Sequence, residues 1–252
     1  MLKRAFAPTF LVTLALIVGF LPAADRQKSG RWERAIEAFE AADKKSPPAP
    51  GAVLFVGSSS IRFWKTLPAD FPQYRVLNRG FGGSHIADCT HFADRIVIPY
   101  RPSVIILHAG SNDLAAGKSP ERVFGDYKTF VAKVREALPD TPIAFLAINP
   151  TPARWSLADK QQETNHLIRE YVAGKKGLAF IDIWDALLGP DGRPRDDLHV
   201  RDHLHPNAAG YKIRTRIITA YLDSLKLPAG SLSSKHGRLT TTSSPTGSSG
   251  SN

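Results

Sequence analysis

Ala52-Val53-Leu54-Phe55-Val56 is a short unbroken apolar run, and it stops at Gly57-Ser58-Ser59-Ser60-Ile61. Five apolar residues closed by a turn signal read as a strand buried on both faces. Four similar runs follow, at residues 75–77, 104–107, 143–148 and 178–183. Between and after them lie longer stretches with helical spacing, at residues 86–98, 120–138, 157–172 and 207–225. Upstream, Trp32, Ile36 and Phe39 recur at helical intervals. That spacing predicts an amphipathic helix over 31–45 on the domain edge, ended by the proline-rich stretch 46–50. Five strands separated by helices predict an α/β fold, a parallel sheet with helices on both faces. Only residues 189–201 lack periodicity.

In an open parallel sheet, ligands bind beyond the carboxyl ends of the strands. The residues that follow the strands therefore matter most. Gly57-Ser58-Ser59-Ser60 follows the first, Asn78-Arg79-Gly80-Phe81-Gly82-Gly83-Ser84 the second, and Ala109-Gly110-Ser111-Asn112-Asp113 the third. Asp202-His203-Leu204-His205-Pro206-Asn207 precedes the last helix. A serine hydroxyl becomes a useful nucleophile only when a base takes its proton. His205 suits that base, and an aspartate three residues earlier can hold the other ring nitrogen. A glycine lets a backbone N–H approach closely, and an asparagine amide is a side-chain donor for an oxyanion. Gly83 and Asn112 suit those roles, while Asp113 reads as a structural residue that fixes its loop.

These four blocks resemble those of the SGNH hydrolases, also called the GDSL lipase/esterase family, over roughly residues 51–225. The family is named for a serine, a glycine, an asparagine and a histidine in separate blocks. The resemblance implies a flavodoxin-like three-layer α/β/α sandwich around a five-stranded parallel sheet, and ester hydrolysis without a cofactor. It carries over to Ser59, Gly83, Asn112 and His205, with Asp202 as the acid, and to an oxyanion hole of Ser59, Gly83 and Asn112. One position departs from the pattern: the usual Gly-Asp-Ser is Gly57-Ser58-Ser59 here. Counting from Gly57 favours Ser59, with Ser58 and Ser60 as the alternatives.

His199, Asp202, His203 and His205 invite a metal reading. No His-Glu-x-x-His motif accompanies them, and a metal would leave Ser59 and Asn112 without a role. No catalytic metal is expected, and His199 and His203 are expected at the surface or rim. His85, His91, His108 and His166 receive no role. Core packing is the expected fate of Phe63, Trp64, Phe81 and Trp155, ahead of an acyl or sugar platform. Arg62, Arg79 and Arg154 are expected to be surface charges. Cys89 is expected to be packed rather than reactive.

The chain has 252 residues, 42% hydrophobic and 22% charged, with a formal net charge of +10. That size and composition fit a globular protein with a sizeable core. The charge can favour weak association with a membrane surface or an acidic polymer. No zinc-finger spacing or RNP-like aromatic run points to nucleic acid. Lys3 and Arg4 precede an uncharged stretch, and Pro22-Ala23-Ala24 closes it before Asp25. This layout predicts a secretory signal over 1–24, or an uncleaved membrane anchor, and hence an exported protein. Cys89 is the only cysteine, so export does not bring an intramolecular disulfide. Residues 231–252 are rich in Ser, Thr and Gly and predict a flexible tail, which leaves a domain over about 30–228.

The function expected is an exported serine esterase. It would remove small acyl groups, acetyl above all, from carbohydrates or other alcohols. The alternatives are a lysophospholipase or thioesterase acting on lipid acyl chains, and a non-catalytic glycan-binding module that retained the fold.

Overall fold

The computed structural model describes residues 30–227, together with Ser231 and Ser233. The expected signal segment and nearly all of the expected tail lie outside the described residues. Helix α1 (Glu33–Lys45) precedes strand β1 (Val53–Gly57), followed by the short helices α2 (Ser59–Arg62) and α3 (Leu67–Asp70). Strand β2 (Val76–Gly80) leads into α4 (Ile86–His91) and α5 (Ala93–Ile96). After β3 (Val104–His108) come α6 (Ser111–Ala115) and α7 (Pro120–Ala137). Strand β4 (Ile143–Leu146), α8 (Ala158–Val172), β5 (Leu178–Ile181) and α9 (Ala208–Ser224) complete the order.

The five strands are all parallel and lie in the order β2-β1-β3-β4-β5. This is the flavodoxin-like order, whose ligand crevice opens between β1 and β3. Side chains alternate across the sheet. Leu54, Val56, Ile105, Leu107 and Phe145 pack on one face against Ile36, Ile86, Tyr127, Phe130 and Ile168. Val53, Phe55, Val104, Ile106 and Leu146 pack on the other against Trp64, Phe71, Ile218 and Leu222. Two apolar layers around a sheet buried on both sides are the three-layer architecture expected.

The differences in boundary have physical causes. Strand β2 runs on to Gly80 although Asn78 and Arg79 break the apolar pattern. Its register continues beside β1, with Phe55 opposite Asn78 and Gly57 opposite Gly80. The two polar side chains find partners. Asn78 Nδ2 donates to the Ile61 carbonyl at 2.7 Å. Arg79 is 5% exposed and grips both oxygens of Asp43 at 2.6 and 2.7 Å. The guanidinium lies over the rings of Phe39 and Tyr100. Arg79 is therefore a buried tie between α1 and the sheet, not a surface charge. The helix expected over 86–98 breaks at Phe92 and ends in a 3-10 turn at Ile98–Tyr100, where Pro99 has no N–H to give.

Arg214 on α9 is 1% exposed. Its Nη1 donates to the Gly210 carbonyl at 3.0 Å, while Nε and Nη2 have no partner among the described residues. Burial pulls the guanidinium down to about 10. A buried unpaired cation costs stability. Arg214→Met keeps much of the volume and removes the charge. It is expected to raise Tm by scanning calorimetry, by about 2–4 °C for each kcal/mol relieved. A lower Tm would mean that the guanidinium is well compensated.

Candidate active site

The carboxyl ends of β1, β2 and β3 stop at one level, with Gly57 opposite both Gly80 and His108. The loops that follow carry the sequence blocks to one place. Gly57 has φ +148°, and a Cβ on it would lie 2.0 Å from the His108 carbonyl oxygen. Only glycine fits where the two strand ends approach. The chain then turns into α2, whose first residue is Ser59 and whose N-cap is the buried Ser58.

Ser59 Oγ lies 2.7 Å from His205 Nε2. His205 Nδ1 lies 2.5 Å from Asp202 Oδ2. The Asp202 carboxylate also accepts the backbone N–H of Leu204 and of His205, each at 2.9 Å. Partial burial would raise this carboxyl, but the hydrogen bonds from the His205 ring and the two backbone groups outweigh it and hold it at about 2. With Nδ1–H turned toward Asp202, Nε2 is left to accept the Ser59 proton. Of the three adjacent serines, Ser59 carries the hydroxyl that meets His205. The Ser60 carbonyl instead accepts the Tyr211 hydroxyl at 2.9 Å. Phe63 packs edge-on against the His205 ring with centroids 4.9 Å apart. It is 44% exposed, so it borders the site rather than the core.

Gly83 follows β2 with φ +76°. Its N–H has no backbone acceptor among the described residues. The Ser59 N–H stands in the first turn of α2, where no intrahelical acceptor exists. Asn112 on α6 donates from Nδ2 to the Ser84 carbonyl at 3.1 Å, which leaves one amide hydrogen unused. Asp113 is fully buried and accepts the Ile86 N–H at 3.3 Å and Lys118 Nζ at 2.8 Å, which fixes the loop. Ser59, Ser58, Asn112, His108, Asn149, Thr151, Arg154 and His205 enclose a cleft of about 20 Å³.

The family of the chain follows from the match of its sequence over this framework. The GDSL-like Lipase/Acylhydrolase profile matches residues 49–213. The chain belongs to the GDSL-like lipase/acylhydrolase family. It is thereby an ester hydrolase. The human platelet-activating factor acetylhydrolase IB subunit alpha1 is 27% identical over 203 residues, 75% of this chain and 82% of that protein. A GDSL-like lipase from Bacteroides thetaiotaomicron superposes with a TM-score of 0.62 at 18% identity, over 78% of this chain and 97% of that one. A family 3 carbohydrate esterase from Talaromyces cellulolyticus gives 0.54 at 18%, over 69% and 97%.

Three expectations about this GDSL-family site need correction. Arg154 is not a surface charge: it is half-buried, and donates to Ser111 Oγ at 2.7 Å and to Asn112 Oδ1 at 2.8 Å. Its role was not legible because its partners are 42 and 43 residues away. His199 is not on the rim. It is 7% exposed, with Nδ1 against the Arg195 carbonyl at 2.9 Å, and burial lowers its imidazole. Phe63 is exposed, whereas Trp64 and Phe81 are core residues as expected and Trp155 is half-buried against Trp184. The four residues of the metal reading separate: His203 is exposed beside Asp196, His199 is buried, and Asp202 and His205 meet each other. His108 lines the cleft, and burial holds its imidazole down at about 4. Burial also pushes the Cys89 thiol up, as expected of a packed cysteine.

The Asp202 carboxyl lies below its ordinary value in the folded chain. Its contribution to stability is therefore full above about pH 4 and is lost as pH falls through about 2. The stability difference between the wild type and Asp202→Asn, read from urea melts at stepped pH, is expected to be largest near neutrality and to shrink below pH 4. A difference independent of pH would contradict the Asp202–His205 bond.

Proposed function

We propose that the chain is an exported serine esterase that removes small acyl groups, acetyl above all, from carbohydrates or other alcohols. The observation that carries this is the hydrogen-bonded chain Ser59–His205–Asp202, at 2.7 and 2.5 Å, beside the unused donors of Gly83 and Asn112. Ser59 Oγ attacks the ester carbonyl as His205 Nε2 takes its proton. The oxyanion is held by the N–H groups of Ser59 and Gly83 and by Asn112 Nδ2. His205 then returns the proton to the departing alcohol, leaving an acyl-serine. Water, activated by the same imidazole, releases the acid. Asp202 stays ionised throughout and stabilises the imidazolium.

The room available at Ser59 supports a small acyl group. The cleft of about 20 Å³ at Ser59 is closed by Ile148, Asn149, Thr151 and Arg154 and suits a two-carbon acyl group. The alcohol is read as leaving toward the space beside Gly82, whose Cβ position lies 3.9 Å from the Ser59 Cβ. A groove of about 740 Å³, reaching Gly82 and Arg62, runs along α1. Relatives named as an acetylhydrolase and as a carbohydrate esterase agree with both halves of the reading. Export is supported by the charged, then apolar, then small-residue layout of residues 1–24.

Ser59→Ala is expected to lower p-nitrophenyl acetate turnover by about 10⁵-fold or more, as expected when a nucleophile is removed. Rates on butyrate, octanoate and palmitate esters are expected to fall steeply with chain length. Undiminished turnover by Ser59→Ala would reject Ser59 as the nucleophile. A preference for long chains would favour the lipid-acyl reading.

A further inference from the structure

We propose that Arg154 is the positioning residue of the oxyanion site, orienting and polarising the Asn112 amide; this rests on the esterase reading above. An asparagine side chain can present either its oxygen or its nitrogen to a neighbour. A guanidinium has only donors, so the group that faces Arg154 must be Oδ1. The observed contact, Arg154 Nη2 to Asn112 Oδ1 at 2.8 Å, therefore fixes which way the amide points. Nδ2 is turned the other way, with one hydrogen on the Ser84 carbonyl and the second left for the cleft. A cation on the amide oxygen also draws electron density from the nitrogen and strengthens that second N–H as a donor.

Among the described residues, no carboxylate answers the charge of Arg154. Both of its side-chain hydrogen bonds go to neutral oxygens, of Ser111 and Asn112, and no ion pair to it occurs among the described residues. A solvated surface arginine would keep its water. Here the guanidinium is half-buried in the lining of the cleft that holds Ser59 and His205. Its charge thus sits on the Asn112 amide oxygen, and the free Nδ2–H of that amide carries the effect to the negative charge that develops in the transition state. The backbone holds it there. Arg154 lies at a kink between two turns, with φ −127° and ψ 23°, and its neighbour Ala153 donates to the His203 carbonyl at 3.0 Å. One short segment therefore braces the Asn112 loop and the His205 loop together.

A double-mutant cycle with p-nitrophenyl acetate tests the assignment. Arg154→Ala is expected to lower kcat by about 10- to 100-fold with KM within about twofold, and Asn112→Ala to lower kcat by about 10²- to 10³-fold. The double variant is expected to match Asn112→Ala within about threefold, because Arg154 acts through Asn112. Arg154→Lys, which keeps the charge and loses the fork, is expected to recover part of the loss. Thermal melts check that each variant folds. If Arg154→Ala does not fold, the same cycle is run with Arg154→Lys and Arg154→Gln. Multiplying effects would overturn the proposal, as would a rise in KM with kcat intact, which marks a substrate-binding arginine. Unchanged kinetics would overturn it too. Absence of turnover by the wild type would defeat the esterase reading and this assignment with it.

Discussion

The end of β1 comes so close to the end of β3 that Gly57 has no space for a side chain: a Cβ there would meet the His108 carbonyl at 2.0 Å. This contact sets the level at which three parallel strands stop. Gly57, Gly80 and His108 occupy one rung of the sheet. Ser59, Gly83 and Asn112 each lie within four residues of that rung, on backbone that leaves the sheet at the same edge. The next residue, Ser58, ties its N–H to the His108 carbonyl at 3.1 Å, so the loop begins from a fixed point. Two glycine-permitted bends, at Gly57 and Gly83, turn the chain as it leaves β1 and β2.

The other half of the site comes from far along the chain. His205 meets Ser59 across 146 residues, and the loop that delivers it has no regular ladder. It is held instead by local bonds. Val200 N–H reaches the His205 carbonyl at 2.9 Å, and Asn207 Nδ2 reaches the Asp197 and His199 carbonyls at 2.8 and 3.1 Å. The same Asn207 caps α9 by accepting from Gly210 N–H at 3.1 Å. Helix position and loop shape are thereby coupled. Asp202 remains well exposed, yet three donors keep it ionised, so orientation of the imidazole needs no deep burial. The strictly buried groups nearby, His108 and His199, are driven toward their neutral forms instead. Burial and hydrogen bonding thus separate the groups that carry charge from those that pack.

The five parallel strands and the convergence of four motifs were legible in the sequence, because buried parallel strands are continuous apolar runs and their loop residues are short-range signals. The choice among Ser58, Ser59 and Ser60 is narrowed by counting, and the geometry around α2 bears on it directly: Ser58 is buried at the N-cap position, while the Ser59 hydroxyl meets His205 at 2.7 Å. What escaped was long-range pairing. Arg79 and Arg154 look alike in sequence, as lone arginines after apolar runs. One is buried by Asp43 and two aromatic rings, the other beside Ser111 and Asn112. Nothing local to either residue names its partner. The burial of His199 is hidden from the local sequence for the same reason, since it depends on how residues 189–201 fold. The polar end of β2 escaped because its hydrogen-bond partners belong to other elements.

The central claim is that His205 activates the hydroxyl of Ser59 rather than that of either neighbouring serine. Reaction of the purified protein with a fluorophosphonate, followed by digestion and fragment mass mapping across residues 57–62, tests it most directly. The account predicts a single adduct on Ser59, formed in the wild type and lost in His205→Ala. An adduct on Ser58 or Ser60, or labelling of Ser59 that persists without His205, would contradict it.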